Sequence, residues 1–321
     1  MAVTLQSAGP GNIDEILTTT LVNMRPGIID NIFRSNPLLD YFYKKGNGKV
    51  KLSGGAAVSH GLMYGLNSGA QAYSRYDTLA VTPVDGLTRD QWEWTQYSVP
   101  VTIDGFSERI NTGKEKLADI MDEKKKQAEE SLSLLLEQDM FASSPTTKHL
   151  RSLNTIIASS GTEGSINGTT NTWWSSYTNT SVGSFASNGV AALRTAFNSI
   201  RVLNPVGDPK TICSDQTTFE YYEASLTPYE RFTDTKSADI GIMNLKFKTA
   251  PWFFSPQATS GTVYLLSDSA LEFVVHEGTD FKTTEFVKPA NQDARTAQIL
   301  LMCSLTTGNR RKLGKLSGIT A

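Results

Sequence analysis

Lys114–Ala142 reads KEKLADIMDEKKKQAEESLSLLLEQDMFA. Leu117, Ile120, Met121, Ala128, Leu132 and Leu135 trace an apolar stripe at helical period, with Lys124 the polar exception. Asp119, Asp122, Glu123, Lys125, Lys126, Glu129 and Glu130 fall on the other faces, and no Gly or Pro interrupts the run. The pattern predicts one helix over 114–142, roughly 40 Å long at the α-helical rise. A charged back and an apolar front mean that it lies on a sheet or on another helix. The stripe loses regularity after about three turns, which argues against a coiled coil.

N-terminal to this helix the sequence changes character. Trp92-Glu93-Trp94-Thr95 alternates apolar and polar, and Tyr97, Val99, Val101 and Ile103 continue the alternation on the other parity. A parity switch inside a run marks a bulge or a change of strand partner. Residues 51–105 are Gly-rich, with turn signals at Gly54-Gly55, Pro83 and Gly86, and hold few residues able to form a core of their own. That is the composition of a projecting hairpin. Residues 1–50 read as short amphipathic pieces separated by breakers. Ile13, Ile16, Leu17 and Leu21 sit at helical spacing, Pro26-Gly27 stops them, and Asn36-Pro37-Leu38-Leu39 opens a further piece before Lys44-Lys45-Gly46. Such pieces suit an arm laid along something else.

C-terminal to the helix, residues 158–189 are rich in Ser, Thr, Asn and Gly and predict a long loop holding a hairpin, interrupted by Trp173-Trp174. Two adjacent Trp in a polar loop need burial, in local packing, in a subunit contact or under a ligand. Val190, Leu193, Phe197 and Ile200 predict a helix ended by Asn204-Pro205. Phe219, Tyr222 and Leu226 predict another, closed by Pro228. Thr211–Cys213, Thr262–Leu266, Leu271–Val275 and Ile299–Leu305 read as strands. An extended loop, a long helix and then mixed helices and strands make the fold class α+β.

The chemistry-bearing residues do not gather into a site. His60, His149 and His276 are far apart and show no metal-ligand spacing; no phosphate-binding loop and no nucleophile elbow is present. The adjacent carboxylates Asp122-Glu123 and Glu129-Glu130 fall on the charged helix face, whereas acid–base catalysis needs one carboxyl desolvated in a cleft. No catalytic, cofactor-binding or metal-binding residue is expected. Cys213 and Cys303 sit in apolar company and read as buried thiols, although the sequence leaves their pairing open. The net charge of −2, from 30 basic and 32 acidic residues, argues against tight nucleic-acid binding and leaves weak contact open. Arg310, Arg311, Lys312 and Lys315 form one basic cluster, read as a solvated turn or strand edge, or else as a face for nucleic acid or a partner's acidic patch. Met1–Pro10 lacks a basic start and a long apolar run, so no signal peptide is expected, and no apolar run is long enough to cross a membrane.

Several pieces, in order, resemble the major capsid proteins of tailed bacteriophages. They are Leu52-Ser53-Gly54-Gly55 through Tyr64-Gly65-Leu66-Asn67, then Tyr76-Asp77-Thr78-Leu79, then Trp92-Glu93-Trp94-Thr95-Gln96-Tyr97. Asn111-Thr112-Gly113, Trp173-Trp174, Tyr221-Tyr222-Glu223 and Asn291-Gln292-Asp293 follow. The resemblance implies the Hong Kong 97-type capsid fold. Residues 1–50 would be the N-terminal arm, 51–105 the extended loop and 106–189 the peripheral domain with its spine helix at 114–142. Residues 190–269 would be the axial domain, and 270–321 strands returning to the peripheral domain.

The resemblance further implies a homo-oligomer: hexamers and pentamers closing an icosahedral shell around double-stranded DNA. The virion capsid would be its location, after synthesis in the host cytoplasm. Scaffolding, portal and decoration proteins would be its partners, with weak contact to packaged DNA and no membrane. Trp92, Trp94, Tyr97, Trp173 and Trp174 are the candidate inter-subunit contacts. Some family members cross-link through a lysine on the extended loop; here no lysine occurs from Leu52 to Gly113, so no such cross-link is expected. With only residues 1–50 before the loop, a separate scaffolding protein, or none, is expected. Two other readings stand beside this one: an encapsulin-like compartment holding cargo protein, and a tail-borne glycan-binding module using Trp173 and Trp174.

Overall fold

The structure is a computed structural model that describes residues 36–45, 48–79, 81–110, 120–203, 208–226 and 245–321. Most of the predicted arm, the first turns of the predicted long helix and the stops at Asn204-Pro205 and Pro228 lie outside the described residues. The chain divides into two units. One comprises residues 1–33, 99–130 and 283–299; the other comprises 34–98, 131–282 and 300–321.

The larger unit contains a six-stranded sheet in the order Leu245–Phe247, Ala250–Phe254, Thr211–Ser214, Val263–Leu266, Gly314–Leu316, Tyr177–Asn179. Thr211–Ser214 and Val263–Leu266 are buried along their whole length, as central strands covered on both faces must be. The helix Val190–Leu203 turns the predicted Leu193, Phe197 and Ile200 into the core together with Ala196, while the predicted Val190 is only half-buried against it. It lies close to the sheet: a Cβ at Gly314 would sit 2.6 Å from the Ile200 Cδ1. The helix Gln216–Ser225 begins at Asp215, whose carboxylate accepts the Thr218 N–H and hydroxyl. Tyr222 of that helix stacks on Trp252 at 4.4 Å and 18°, and the Trp252 indole N–H donates to the Ser214 Oγ at 2.8 Å. Val182, Phe185, Leu316 and Ile319 join the same core, so this body draws in chain from both sides of 190–269.

In a second sheet, Lys49–Leu52 runs parallel to Leu271–His276, with Lys49 opposite Phe273. Leu271–His276 runs antiparallel to the long strand Ala294–Thr307, with Val275 opposite Cys303. Thr95–Asp104 pairs with the same long strand. The parity switch near Trp92 is a change of partner. Trp92 makes an isolated bridge to Val58, whereas from Thr95 onward the chain belongs to this sheet, and Tyr97, Val101 and Ile103 face inward.

Between these strands the chain runs out as a ribbon. Val58 opposes Trp92, Gly61 opposes Arg89, Leu62 opposes Thr88 and Met63 opposes Leu87, and the Tyr64 N–H donates to the Gly86 carbonyl. This is the predicted hairpin.

The predicted long helix is helical over Ile120–Phe141. Ala128, Leu132, Leu136 and Met140 are buried. The stripe therefore advances by four residues and passes through Leu136; Leu135 is only half-buried. Glu137 is fully buried on that stripe, which its sequence neighbours Gln138 and Asp139 do not announce. The predicted loop at 158–189 does hold a hairpin, Thr162–Glu163 with Ile166–Asn167.

In the smaller unit, Gly105 opens the short helix Gly105–Ile110, and a Cβ there would meet the Asp293 carboxylate at 2.6 Å and push that half-exposed side chain aside. Asp293 pairs with Arg109 and Lys288, and Glu108 pairs with Arg295. Lys288 and then Arg109 hold the Asp293 carboxyl below the usual range.

Candidate assembly surface

The ribbon carries the largest run of exposed apolar side chains among the described residues. Leu66 is 86% exposed, Tyr76 97% and Val81 92%, and Met63, Tyr73, Leu79 and Leu87 are exposed as well. Local polar turns hold the backbone between them: the Asn67 Oδ1 accepts the Gly69 N–H, and the Asp77 carboxylate accepts the Ser74 N–H. Among the described residues these side chains stay open to solvent, and a monomeric protein seldom leaves so many large apolar groups in water along one segment.

The aromatic candidates separate into two groups. Trp92 (3% exposed), Tyr97 (7%) and Trp174 (1%) are enclosed by their own chain. The Trp92 indole donates to Asp90 at 2.8 Å. The Tyr97 hydroxyl donates to Asp139 at 2.5 Å and accepts the Leu150 N–H at 2.7 Å. Burial, then the Asp139 hydrogen bond, push the Tyr97 hydroxyl far above its ordinary range. The Trp174 indole donates to the Glu163 carbonyl at 2.9 Å. These three stabilise the fold, each with its polar atom satisfied. Trp94 and Trp173 remain half-buried, and Trp173 stacks with Tyr64 at 5.4 Å.

Two of the histidines sit among carboxylates, and the third, His276, accepts the Gly278 N–H on its Nδ1 and packs edge-on against Trp94. Both ring nitrogens of His60 face acids, Asp90 at 2.8 Å and Glu272 at 3.3 Å, so neither is free to take a substrate proton. The Nδ1 of His149 faces Asp139. Among the described residues no group of His, Cys, Asp and Glu could hold a metal ion, and no helix is long and apolar enough to cross a membrane. Cys213 and Cys303 are buried free thiols, and burial raises both. A cavity of about 320 Å³ is lined by Gly105, Glu108, Arg109, Lys288, Asp293 and Arg295, whose charges are the ion pairs described above.

Of the C-terminal basic cluster only Arg310 leaves the solvent altogether; Arg311, Lys312 and Lys315 stay half-buried, the first two in the turn Arg310–Lys312. Arg310 is fully buried, and its guanidinium donates to the carbonyls of Ile156, Thr155 and Ala158. Lys315 donates to the Asn154 carbonyl, and Lys312 to the Ser269 hydroxyl. Arg310 thus satisfies backbone acceptors inside the chain, which a run of basic letters cannot reveal. The exposed apolar residues of the ribbon carry a weaker signal, apolar letters set among Gly, Ser and Asn with no lysine from Leu52 to Gly113.

No protein-family profile matches the sequence, and no curated protein matches it. Solved structures do match. The capsid of cyanophage A-1(L) superposes with a TM-score of 0.69 at 14% identity, over 94% of this chain and 98% of that one. The capsid of a native GTA particle gives 0.63 at 12% identity, over 94% and 96%. The SrpI encapsulin of Synechococcus elongatus gives 0.55 at 8% identity, over 91% and 92%. With its extended ribbon, its long helix and its six-stranded sheet flanked by helices, the chain has the α+β Hong Kong 97-type capsid fold.

Proposed function

We propose that the chain is a major capsid protein, a structural subunit that assembles into hexamers and pentamers of an icosahedral shell around double-stranded DNA. One observation carries the reading: the chain projects a ribbon whose outer half exposes Leu66, Tyr76, Val81 and Leu87 with no core of its own. On a fold shared with capsids, a second copy of the chain is the natural cover for those side chains. Burying such groups contributes roughly 25 cal/mol per Å² of apolar surface, the main drive for association. In this reading residues 1–50 act as the arm, 51–105 as the extended loop, 106–189 and 270–321 as the peripheral domain, and 190–269 as the axial domain. The absence of lysine from 52–113 supports a shell held without covalent links from the loop.

An encapsulin-like compartment is the second reading, supported by the SrpI match, whose TM-score is lower than those of the two capsids above. Electron microscopy of the purified full chain tests assembly, with closed shells or capsomer rings expected. Particles recovered from the native source then separate the readings. Double-stranded DNA inside supports the capsid; a protein cargo supports the compartment.

A further inference from the structure

The root of the ribbon is held at two heights. At the lower one, the fully buried Asp90 carboxylate accepts the backbone N–H of His60, the His60 Nδ1–H at 2.8 Å and the Trp92 indole N–H at 2.8 Å. The other ring nitrogen of His60 reaches the Glu272 carboxylate, on the strand Leu271–His276. The imidazole therefore joins both strands of the ribbon to the sheet. On the same level the Gln91 N–H donates to the Gly164 carbonyl at 3.0 Å. The Trp92 ring lies on Gly164, where a Cβ would come within 3.0 Å of it.

The upper grip is the Tyr64 ring, stacked on Trp173 at 5.4 Å and 23°. Trp173 is carried by the turn Thr172–Trp174, and the buried Trp174 anchors that turn to the hairpin through the Glu163 carbonyl. His60 and Tyr64 flank the strand Gly61–Met63, four residues apart, which is about 13 Å of extended chain. One grip would leave a pivot; two at that separation fix a direction.

We propose that these two grips form a clasp that sets the angle at which the ribbon leaves the body, with His60, Asp90, Tyr64 and Trp173 as positioning residues for the contact its tip makes with a second copy of the chain. The proposal rests on the assembly reading above. An imidazolium between Asp90 and Glu272 is held strongly in its charged form, up to about 9, chiefly by its hydrogen bonds to those two carboxylates. The lower grip is therefore complete at neutral pH and is lost as pH rises through about 9. Asp90 and Glu272 are the charged groups that face His60.

The test uses the full chain with spin labels at Ser74→Cys, on the ribbon, and Thr147→Cys, on the body, both exposed, while the native thiols are buried. The unassembled wild type should give one narrow distance distribution that broadens above about pH 9. Trp173→Ala should broaden it at neutral pH and give shells in lower yield or of mixed diameter; Trp173→Tyr should restore both. Tyr64→Ala, at an exposed position, removes the same stack without disturbing the core. His60→Gln should be broad at pH 7 and insensitive to alkali. Unchanged widths in Trp173→Ala, Tyr64→Ala and His60→Gln would overturn the clasp, as would wild-type shells from all three. A wild type that never assembles would remove the assembly reading, while the distance measurement would still decide the clasp.

Discussion

Glu137, in the middle of the long helix, accepts the backbone N–H of Leu39 at 2.9 Å, across 98 positions of sequence. Its other oxygen accepts the Leu38 N–H at 3.2 Å and the Ser255 hydroxyl at 2.9 Å. Leu38 and Leu39 lie in the first turn of the helix Pro37–Lys45, where backbone donors have no partner within the helix. Asn36-Pro37 looks like a self-sufficient start, with an N-cap residue before a proline, yet the Asn36 Oδ1 is buried without a hydrogen bond among the described residues. A remote carboxylate caps the helix instead, and fixes the chain that leads into the sheet strand Lys49–Leu52.

That contact has a pH signature. Burial raises the Glu137 carboxyl to about 7, although its backbone and Ser255 hydrogen bonds oppose the rise. A carboxyl in an unfolded chain titrates near 4.3. Between those values the folded chain binds more protons, so this group's contribution is full at low pH and falls as pH rises to about 7, by on the order of 3 kcal/mol. Glu137→Gln should flatten that dependence. It should also cost about 1–3 kcal/mol near pH 5, because an amide N–H₂ then faces a backbone donor. Thermal unfolding of the unassembled chain from pH 5 to 8, with hydrogen exchange at residues 36–45, measures both effects.

Arg310 should be intolerant even of lysine. Its planar guanidinium reaches three carbonyls, which a single ammonium on a thinner stem cannot do. Arg310→Lys should lose at least about 2 kcal/mol, and Arg310→Ala more, since buried carbonyls are left without donors. Chemical denaturation of the unassembled subunit reads the loss.

Charges placed on the ribbon tip should separate folding from assembly. Tyr76→Asp and Val81→Asp lie at exposed positions, so their effect on subunit stability should stay within about 0.5 kcal/mol. Shell formation should fall sharply, because each charge would have to be buried against a neighbour. Unfolding curves and light scattering on the same preparations compare the two.

Mature particles boiled in denaturant should run as single chains. The loop has no lysine from Leu52 to Gly113 to form an isopeptide bond. A ladder of covalent oligomers traced to that loop would contradict the reading.

The parts of the fold visible in the sequence are those governed by short-range periodicity. The stripe of Leu193, Phe197 and Ile200, the alternation from Tyr97 to Ile103 and the apolar runs at Val263–Leu266 and Leu271–Val275 each announce themselves within a few residues. Glu137, Arg310 and His60 did not, because their partners lie 98, 154 and 212 positions away. Adjacency also misleads: Trp173 and Trp174 read as a pair, but a tight turn sends Trp174 into the chain and leaves Trp173 for Tyr64. Among the aromatic candidates, Trp92, Tyr97 and Trp174 proved to be enclosed, and the exposed apolar surface belongs to Leu66, Tyr76 and Val81.

The most direct test of the central claim is a cryo-electron microscopy reconstruction of whatever the purified full chain forms at high concentration. The account predicts closed shells of hexamers and pentamers in which Leu66, Tyr76 and Val81 are buried against a neighbouring copy. A uniform monomer, or shells whose ribbon tips stand in solvent, would contradict it.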